Sequence, residues 1–476
     1  MDTPAALPEL PDSLEWLNCA KGTLREQRGR VVALAFVNAG SVWCLQRLVE
    51  LAQWQARFGG RLQAIAIHVP RSDCERDPAF VRKQMRRNGV SLPMALDRDW
   101  IAWQQFGLRA WPTVMLIDAD GRLQARAVGQ DGLAELEKTA AALCEALPPP
   151  NEGDARGQPE TEPEPRLPLR FPAGLAVNGE CLFIADSGNH RVLECNLDGR
   201  VLRRFGMGTA DFIDGDGELA AFRHPQALAL TRESLYVADT GNHALRRIGL
   251  RSGHVDTLCG TGRPGDTPEG EIREPRSVAL NHPVGLVAND RELLLAQAGD
   301  NRIWRYDLAS RRLESLTGSG QLELRDGAGA MAAFAQPVGL AAVQQVLYVC
   351  DALGSAVRSL QLRSGLVQTL VGQGLWEYGN ADGPRERARL QYPQAIALSP
   401  SAPMLFVADA GNGCLRMLRL GGGVLSTLEL PRRLDGPAGL AMSADGRIWI
   451  AETHAHQVLR FDPATGELVR VPVDEA

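Results

Sequence analysis

The sequence predicts two folded domains of different class, an α/β domain over residues 1–147 and an all-β, six-bladed propeller over 169–476, with a Pro/Glu-rich linker at 148–168 between them. Three observations predict this. A β-α-β pattern opens the chain; seven prolines fall within the 21 residues of the linker; and the C-terminal portion repeats six times, with four short strands per copy. At 476 residues the chain exceeds what one core serves, since about 100 to 200 residues per domain is usual.

The apolar run within 30–36 reads as a strand, and 45–58 as a helix, because Leu48, Leu51 and Trp54 recur at helical spacing. A second apolar strand spans 62–69, so the first two strands are parallel with a crossover helix. Helices follow at 80–88 and 100–106, then Trp111-Pro112-Thr113, a strand at 114–118, a turn at Asp120-Gly121, a strand at 122–128 and a closing helix at 133–147. This order, with a proline just before an apolar strand and a hairpin after it, resembles the thioredoxin fold. The resemblance implies that Pro112 is cis and faces the redox motif where the first strand meets the first helix.

Counted from Phe36, the family's two cysteine positions fall on Ser41 and Cys44, so the motif reads Ser41-Val42-Trp43-Cys44. Dithiol exchange needs both sulfurs. Serine replaces the attacking one, and the second cysteine of thioredoxins is the buried, resolving thiol. In an alternative register Cys44 is the attacking thiol and Arg47 replaces the second cysteine; the distance from the strand to the motif disfavours it. Cys44, with Ser41, Trp43, Pro112 and Thr113 lining the locus, is thus either an ordinary buried thiol in a degenerate site or a single-cysteine redox centre. Cys19, Cys74 and Cys144 offer no evident resolving partner.

The linker carries Glu152, Asp154, Glu160, Glu162 and Glu164 against Arg156 and Arg166, a composition that buries little apolar surface and suits an extended spacer. Beyond it, units begin near Pro172, Pro225, Pro283, Pro337, Pro393 and Pro437 with Pro-x-Gly-Leu-Ala or a variant. An apolar strand ending in Ala-Asp, a Gly-Asn turn and an Arg-bearing strand then follow; Ala185–His190, Ala238–His243 and Ala408–Asn412 are the best-kept turns. In the second unit the strands are expected at 227–230, 235–238, 244–248 and 255–259. Four strands per unit of 44 to 58 residues means propeller blades. The motifs resemble NHL repeats.

Insertions precede several units: Asp214-Gly215-Asp216-Gly217 to Phe222, Asp326-Gly327 to Phe334, Asp382-Gly383 to Leu390, and a looser one at 265–280. They join an outer strand to the next inner strand, so they share a propeller face with the Asp-x-Gly-Asn turns. Loops on one face of a repeat array commonly bind. Asp214, Asp216 and Glu218 alternate as calcium ligands would, but calcium wants six to eight oxygens in a closed loop, and a turn explains them better. The repeated Asp186, Asp239, Asp351 and Asp409 are expected to accept backbone N–H groups. Arg246, Arg358 and Arg416, seven residues on, are expected to pair with carboxylates or to stack between blades. His190 and His243 are read as turn packing. Glu452, His454 and His456 form a weak metal candidate, since one H-x-H lacks partners at matching positions. First and last units each have four strands of their own, which argues against strand exchange at ring closure.

The whole order resembles the NHL repeat-containing protein 2 family and its bacterial relatives, on Glu15-Trp16-Leu17-Asn18, on Leu108-Arg109-Ala110-Trp111-Pro112-Thr113 and on the Asp-Gly to Ala-Phe-x-x-Pro insertions. Family members often carry C-C-I-N-C where this chain has Gly40-Ser41-Val42-Trp43-Cys44. The net charge of −6 argues against nucleic acid. No run of 18 apolar residues argues for a membrane span, and no secretory signal is visible at residues 1–17. Nine cysteines without paired spacing suit a reducing cytoplasm. The function expected is that of a scaffold: the inserted-loop face of the propeller binds a protein or peptide partner, no cofactor is called for, and the degenerate thioredoxin-like domain binds extended peptide. The alternatives are a thiol oxidoreductase or redox sensor at Cys44, and a metal-dependent lyase or hydrolase in the propeller channel.

Overall fold

A computed structural model describes residues 7–148, 159 and 167–474. The chain divides into two compact units, Met1–Pro165 and Arg166–Ala476. Apart from residues 148, 159, 167 and 168, the expected linker lies outside the described residues.

The first unit is α/β, with strands β1 (Glu15–Trp16), β2 (Val31–Val37), β3 (Leu62–His68), β4 (Met94–Leu96), β5 (Thr113–Ile117) and β6 (Leu123–Val128), and helices α1 (Val42–Phe58), α2 (Pro78–Arg87), α3 (Ile101–Gln105) and α4 (Leu133–Glu145). The sheet order is β1-β4-β3-β2-β5-β6. β2 and β3 are parallel, and β5 returns antiparallel beside β2. Strand side chains alternate between faces. Val31, Ala33, Ala35 and Val37 therefore pack with Leu45, Leu48 and Leu51 of α1, while Val32, Leu34 and Phe36 pack with Ala102 and Trp103 of α3. The short β1 has no periodic signature in the sequence; it is held by its pairing with β4.

The second unit is a six-bladed propeller of four-stranded antiparallel blades. Their first strands are Pro172–Val177, Pro225–Leu230, Pro283–Ala288, Pro337–Val343, Pro393–Leu398 and Pro437–Met442. In blade 2 the others are Ser234–Asp239, Ala244–Gly249 and Val255–Cys259. Inner strands of neighbouring blades lie so close that the third motif position must be small. A Cβ on Gly174 would lie 2.7 Å from the Ala227 Cα, and one on Gly285 or Gly439 would overlap the carbonyl of Val338 or Ala173. Blades 2 and 5 carry alanine there, Ala227 and Ala395.

The insertions share the turn face but do more than cross it. Each runs down the outer edge of the blade it precedes before entering that blade's inner strand. Glu271–Ile272, Gly327–Ala328 and Gly383–Pro384 add a fifth, antiparallel strand to blades 3, 4 and 5, and Gly215 bridges Val255 in blade 2. Bare sheet edges template unwanted pairing, and these segments cover them.

First and last blades keep four strands each, and closure comes from elsewhere. The segment ending at Asp474 bridges Arg200 on the outer edge of blade 1, burying Val471 and Val473 with Leu182, Leu193 and Trp449. Thr453 Oγ1 also donates to the Pro172 carbonyl at 2.6 Å.

Candidate functional site

Ser41, the N-cap of α1, and Cys44, in its first turn, occupy the thioredoxin-like locus. The Ser41 side chain hydrogen-bonds the Cys44 sulfur, which is wholly buried. Burial pushes the thiol up to about 12, and the nearby Glu75 carboxylate adds to the rise against the backbone of Asn38 and the Ser41 hydroxyl. A helix N-terminus favours thiolate, but desolvation wins here. Glu75 is itself fully buried; one of its oxygens accepts from Asn38 Nδ2 at 2.7 Å and from the N–H groups of Arg71 and Ser72. His68 Nδ1 accepts from the Ala39 N–H at 3.1 Å, leaving Nε2 to donate to the Glu75 carbonyl, and burial lowers its pKa so that it stays neutral.

The Trp111–Pro112 peptide is cis. Thr113 is buried and donates to the Ala110 carbonyl, while Trp43 is half-buried. Trp100, Trp103 and Trp111 cluster with ring centroids 4.6 to 5.3 Å apart. Arg47, three residues after Cys44 on α1, is committed elsewhere: its guanidinium donates to the carbonyls of Gly129 and Gln130 and pairs with Glu50.

In the propeller, the repeated aspartates and arginines form stitches. Arg246 is fully buried and donates to Asp239 at 2.7 Å and to Asp214, on the inserted segment, at 2.8 Å, with its guanidinium over Phe222 and Phe212. Arg358 joins Asp351 and Asp326 over Phe334 in the same way, and Arg416 joins Asp409 and Asp382. Asp214, Asp326 and Asp382 also accept from both the N–H and the hydroxyl of Thr257, Thr369 and Thr427. The acidic blocks that suggested calcium are thus clasps that pin an insertion to a blade.

Blade 3 breaks the pattern, with Gln297 and Trp304 in place of the pair. Its Asp300, almost fully buried, accepts from Trp304 Nε1 at 2.9 Å and from the Arg302 N–H, and burial raises it from 3.8 to about 8. A raised carboxyl contributes stability below its unfolded pKa and loses it as pH rises through the folded one. Asp300→Asn removes that titration while keeping an acceptor for Trp304. Its stability relative to wild type should rise between about pH 4 and pH 8 and then level off, on the order of a few kcal/mol in all. Thermal unfolding at pH 5, 7 and 9 checks this; a difference flat in pH refutes it.

Residues in left-handed conformation after each turn link the blades. His190, His243 and His456 Nδ1, Asn301 Oδ1 and Ser355 Oγ accept the N–H of His224, His282, Phe171, Gln336 and Tyr392 of the following blade at 2.9 to 3.5 Å. His456, a metal candidate in the sequence, closes the ring. Glu452 is committed as well, to both guanidinium nitrogens of Arg432, to Gln457 and to the Asp435 N–H. His454 is buried, with Nδ1 3.8 Å from Asp435. Among the described residues no group of three or more His, Cys, Asp or Glu is placed to hold a metal.

The segments that lead from an outer strand to the next inner strand carry the most exposed large apolar side chains: Met331 is 70% exposed, Leu219 66% and Trp376 55%, and Met207 and Ile213 are exposed on the same segment as Leu219. Periodicity could not flag these, because the insertions have none. Among the described residues no helix is long and apolar enough to cross a membrane.

The NHL repeat model matches residues 434–461. Over 98% of this chain the sequence is 29% identical to Protein SUPPRESSOR OF QUENCHING 1, chloroplastic, of Arabidopsis thaliana, and 29% identical to NHL repeat-containing protein 2 of Gallus gallus. The matches span 47% of the first and 71% of the second, so the chain covers about half the length of the one and most of the other. Over 28% of this chain it is 24% identical to thiol-disulfide oxidoreductase YkuV of Bacillus subtilis, across 89% of that protein.

Proposed function

We propose that this chain, which belongs to the NHL repeat-containing protein 2 family, is a scaffold whose propeller, residues 169–476, docks a protein partner on its inserted-loop face. The carrying observation is that the most exposed large apolar side chains, Met331, Leu219 and Trp376, sit on the segments that lead into blades 4, 2 and 5, each pinned by an ion pair from a partly exposed aspartate to a buried arginine. Rigid apolar anchors lose little entropy on binding. A triple variant, Leu219→Lys, Met331→Lys and Trp376→Lys, should lose the co-purifying partner at least about tenfold while its unfolding midpoint stays put, since exposed positions shift stability little. Pull-down with quantitative mass spectrometry reads the first and calorimetry the second. Unchanged capture by the triple variant would sink the proposal.

In this reading the thioredoxin-like domain, residues 1–147, binds extended peptide beside Ser41, Trp43, Pro112 and Thr113 and does not turn over disulfides. Supporting it are the serine in the attacking slot and a Cys44 thiol held protonated by burial. The compartment proposed is the cytoplasm, in line with nine cysteines among which no disulfide forms.

A further inference from the structure

We propose that a groove at the seam of blades 3 and 4 binds a phosphorylated sugar, its phosphate held by Arg291 and Arg363 and its hydroxyl groups by Asp290 and the amides of Gln344 and Gln345. The groove lies at the hairpin end of the blades, opposite the turn face, so the inference goes beyond the scaffold reading. Its volume is about 940 Å³, the size of a small-molecule site. Blade 3 contributes the hairpin between its first and second strands, with Asp290 and Arg291. Blade 4 contributes both of its hairpins, with Gln344 and Gln345 on one and Arg363 on the other. All five side chains are exposed, and none of them makes a hydrogen bond or an ion pair among the described residues.

The other charged groups on the groove are committed. Arg305, half-buried, pairs with Glu292 at 3.1 Å and with Glu314 at 2.9 Å, and Asp307 accepts from the N–H and the hydroxyl of Ser310. Two guanidinium groups and one carboxylate are thus left to a ligand, an excess of positive charge on a chain whose net charge is −6. Neither hairpin needs an arginine. The Asn289 side chain accepts the N–H groups of Arg291 and Glu292 just as Asn178 accepts those of Glu180 and Cys181 in blade 1, so the place of Arg291 is filled there by a residue of opposite charge. The place of Arg363, second after the third strand, is taken in the other blades by Asp198, Arg251, Ala309, Gly421 and Ala464. Guanidinium forks match phosphate oxygens, while a carboxylate accepts from sugar hydroxyls and amides both accept from them and donate to them. No aromatic ring is among the described residues that line the groove, and its apolar side chains are Leu316 and Leu362, so a nucleobase finds no ring to stack on.

The test is isothermal titration calorimetry of the full chain with glucose 6-phosphate and with ribose 5-phosphate, and with glucose and inorganic phosphate as the separate parts. Wild type should bind at least one of the two sugar phosphates with a Kd below about 1 mM, at least about tenfold more tightly than either part, and more weakly as salt rises. Arg291→Gln/Arg363→Gln should weaken that binding at least about tenfold at an unchanged unfolding midpoint, since these side chains hold nothing in the free chain. Asp290→Asn should weaken the sugar phosphate without weakening inorganic phosphate. Arg251→Gln, in the same Leu-Arg-Ser-Gly hairpin of blade 2 and outside the groove, should match wild type. Absence of binding by both sugar phosphates overturns the proposal, as does equal affinity in wild type and the double variant. Inorganic phosphate binding as tightly as the sugar phosphates overturns it too, by marking a bare anion site.

Discussion

Replacing Arg246 by methionine is expected to destabilise the propeller by about 3–5 kcal/mol, a drop in unfolding midpoint on the order of 10 °C. The guanidinium and its partner Asp239 are both fully buried, so methionine leaves a carboxylate in the interior with only the Asn242 amide and the Arg223 N–H to balance it. Burial already raises Asp239 to about 6 against the opposing charge of Arg246. Without Arg246 that pKa climbs further. A raised carboxyl gives its stability below pH 3.8 and loses it as pH rises through the folded value, so the deficit should be larger at pH 8 than at pH 5. Asp239→Asn in the Arg246→Met background should recover part of the loss at pH 8. The insertion tethered through Asp214 should also become the first segment cut by a nonspecific protease, since its hydrogen bonds from Arg246 to the Ile213 carbonyl and to Asp214 go with the side chain. A midpoint within about 2 °C of wild type at pH 8 would refute this account.

How much the sequence revealed depends on the physics of each feature. Six blades could be counted because each repeats the same local demands. A proline opens the inner strand, a glycine or alanine stands where backbones of neighbouring blades touch, and an aspartate anchors the turn. The arginines seven residues later could be assigned a carboxylate partner for the same reason, but not a second one. Asp214 lies 32 residues before Arg246, and nothing local announces that the insertion doubles back along the outer edge of its blade. The closing contact of Asp474 with Arg200 is hidden in the same way, being a pairing of two distant segments without periodic pattern. His456 stood only as a weak metal candidate, because an H-x-H spacing is the same whether the rings face a metal or accept a backbone N–H, and the left-handed φ of 55° with the Phe171 contact separates the two.

Ser41→Cys is expected to reduce insulin at a rate at least about tenfold above that of the wild-type chain. The scaffold for exchange is otherwise present: a 17-residue helix whose N-terminus favours thiolate, and a second sulfur already in contact with the residue-41 side chain. In the wild type Cys44 is fully buried with its thiol pushed up to about 12, so at neutral pH it is protonated and closed to alkylation until the domain unfolds. A cysteine thiolate at position 41 would attack the substrate disulfide and expel one substrate thiolate. The Cys44 sulfur, giving up its proton, would then displace the second, and dithiothreitol would supply the two electrons for the next cycle. The same variant carrying Cys44→Ser should stop at the mixed disulfide, trapping substrate without turnover. Mass-resolved alkylation across pH 6 to 11 reads the wild-type thiol, and insulin precipitation reads the gain. A folded Ser41→Cys protein with no turnover would mean that burial of Cys44 under Glu75 and Asn38, more than the missing sulfur, silences the locus. Turnover in the variant would instead mean that one oxygen for sulfur exchange separates this domain from one that exchanges disulfides.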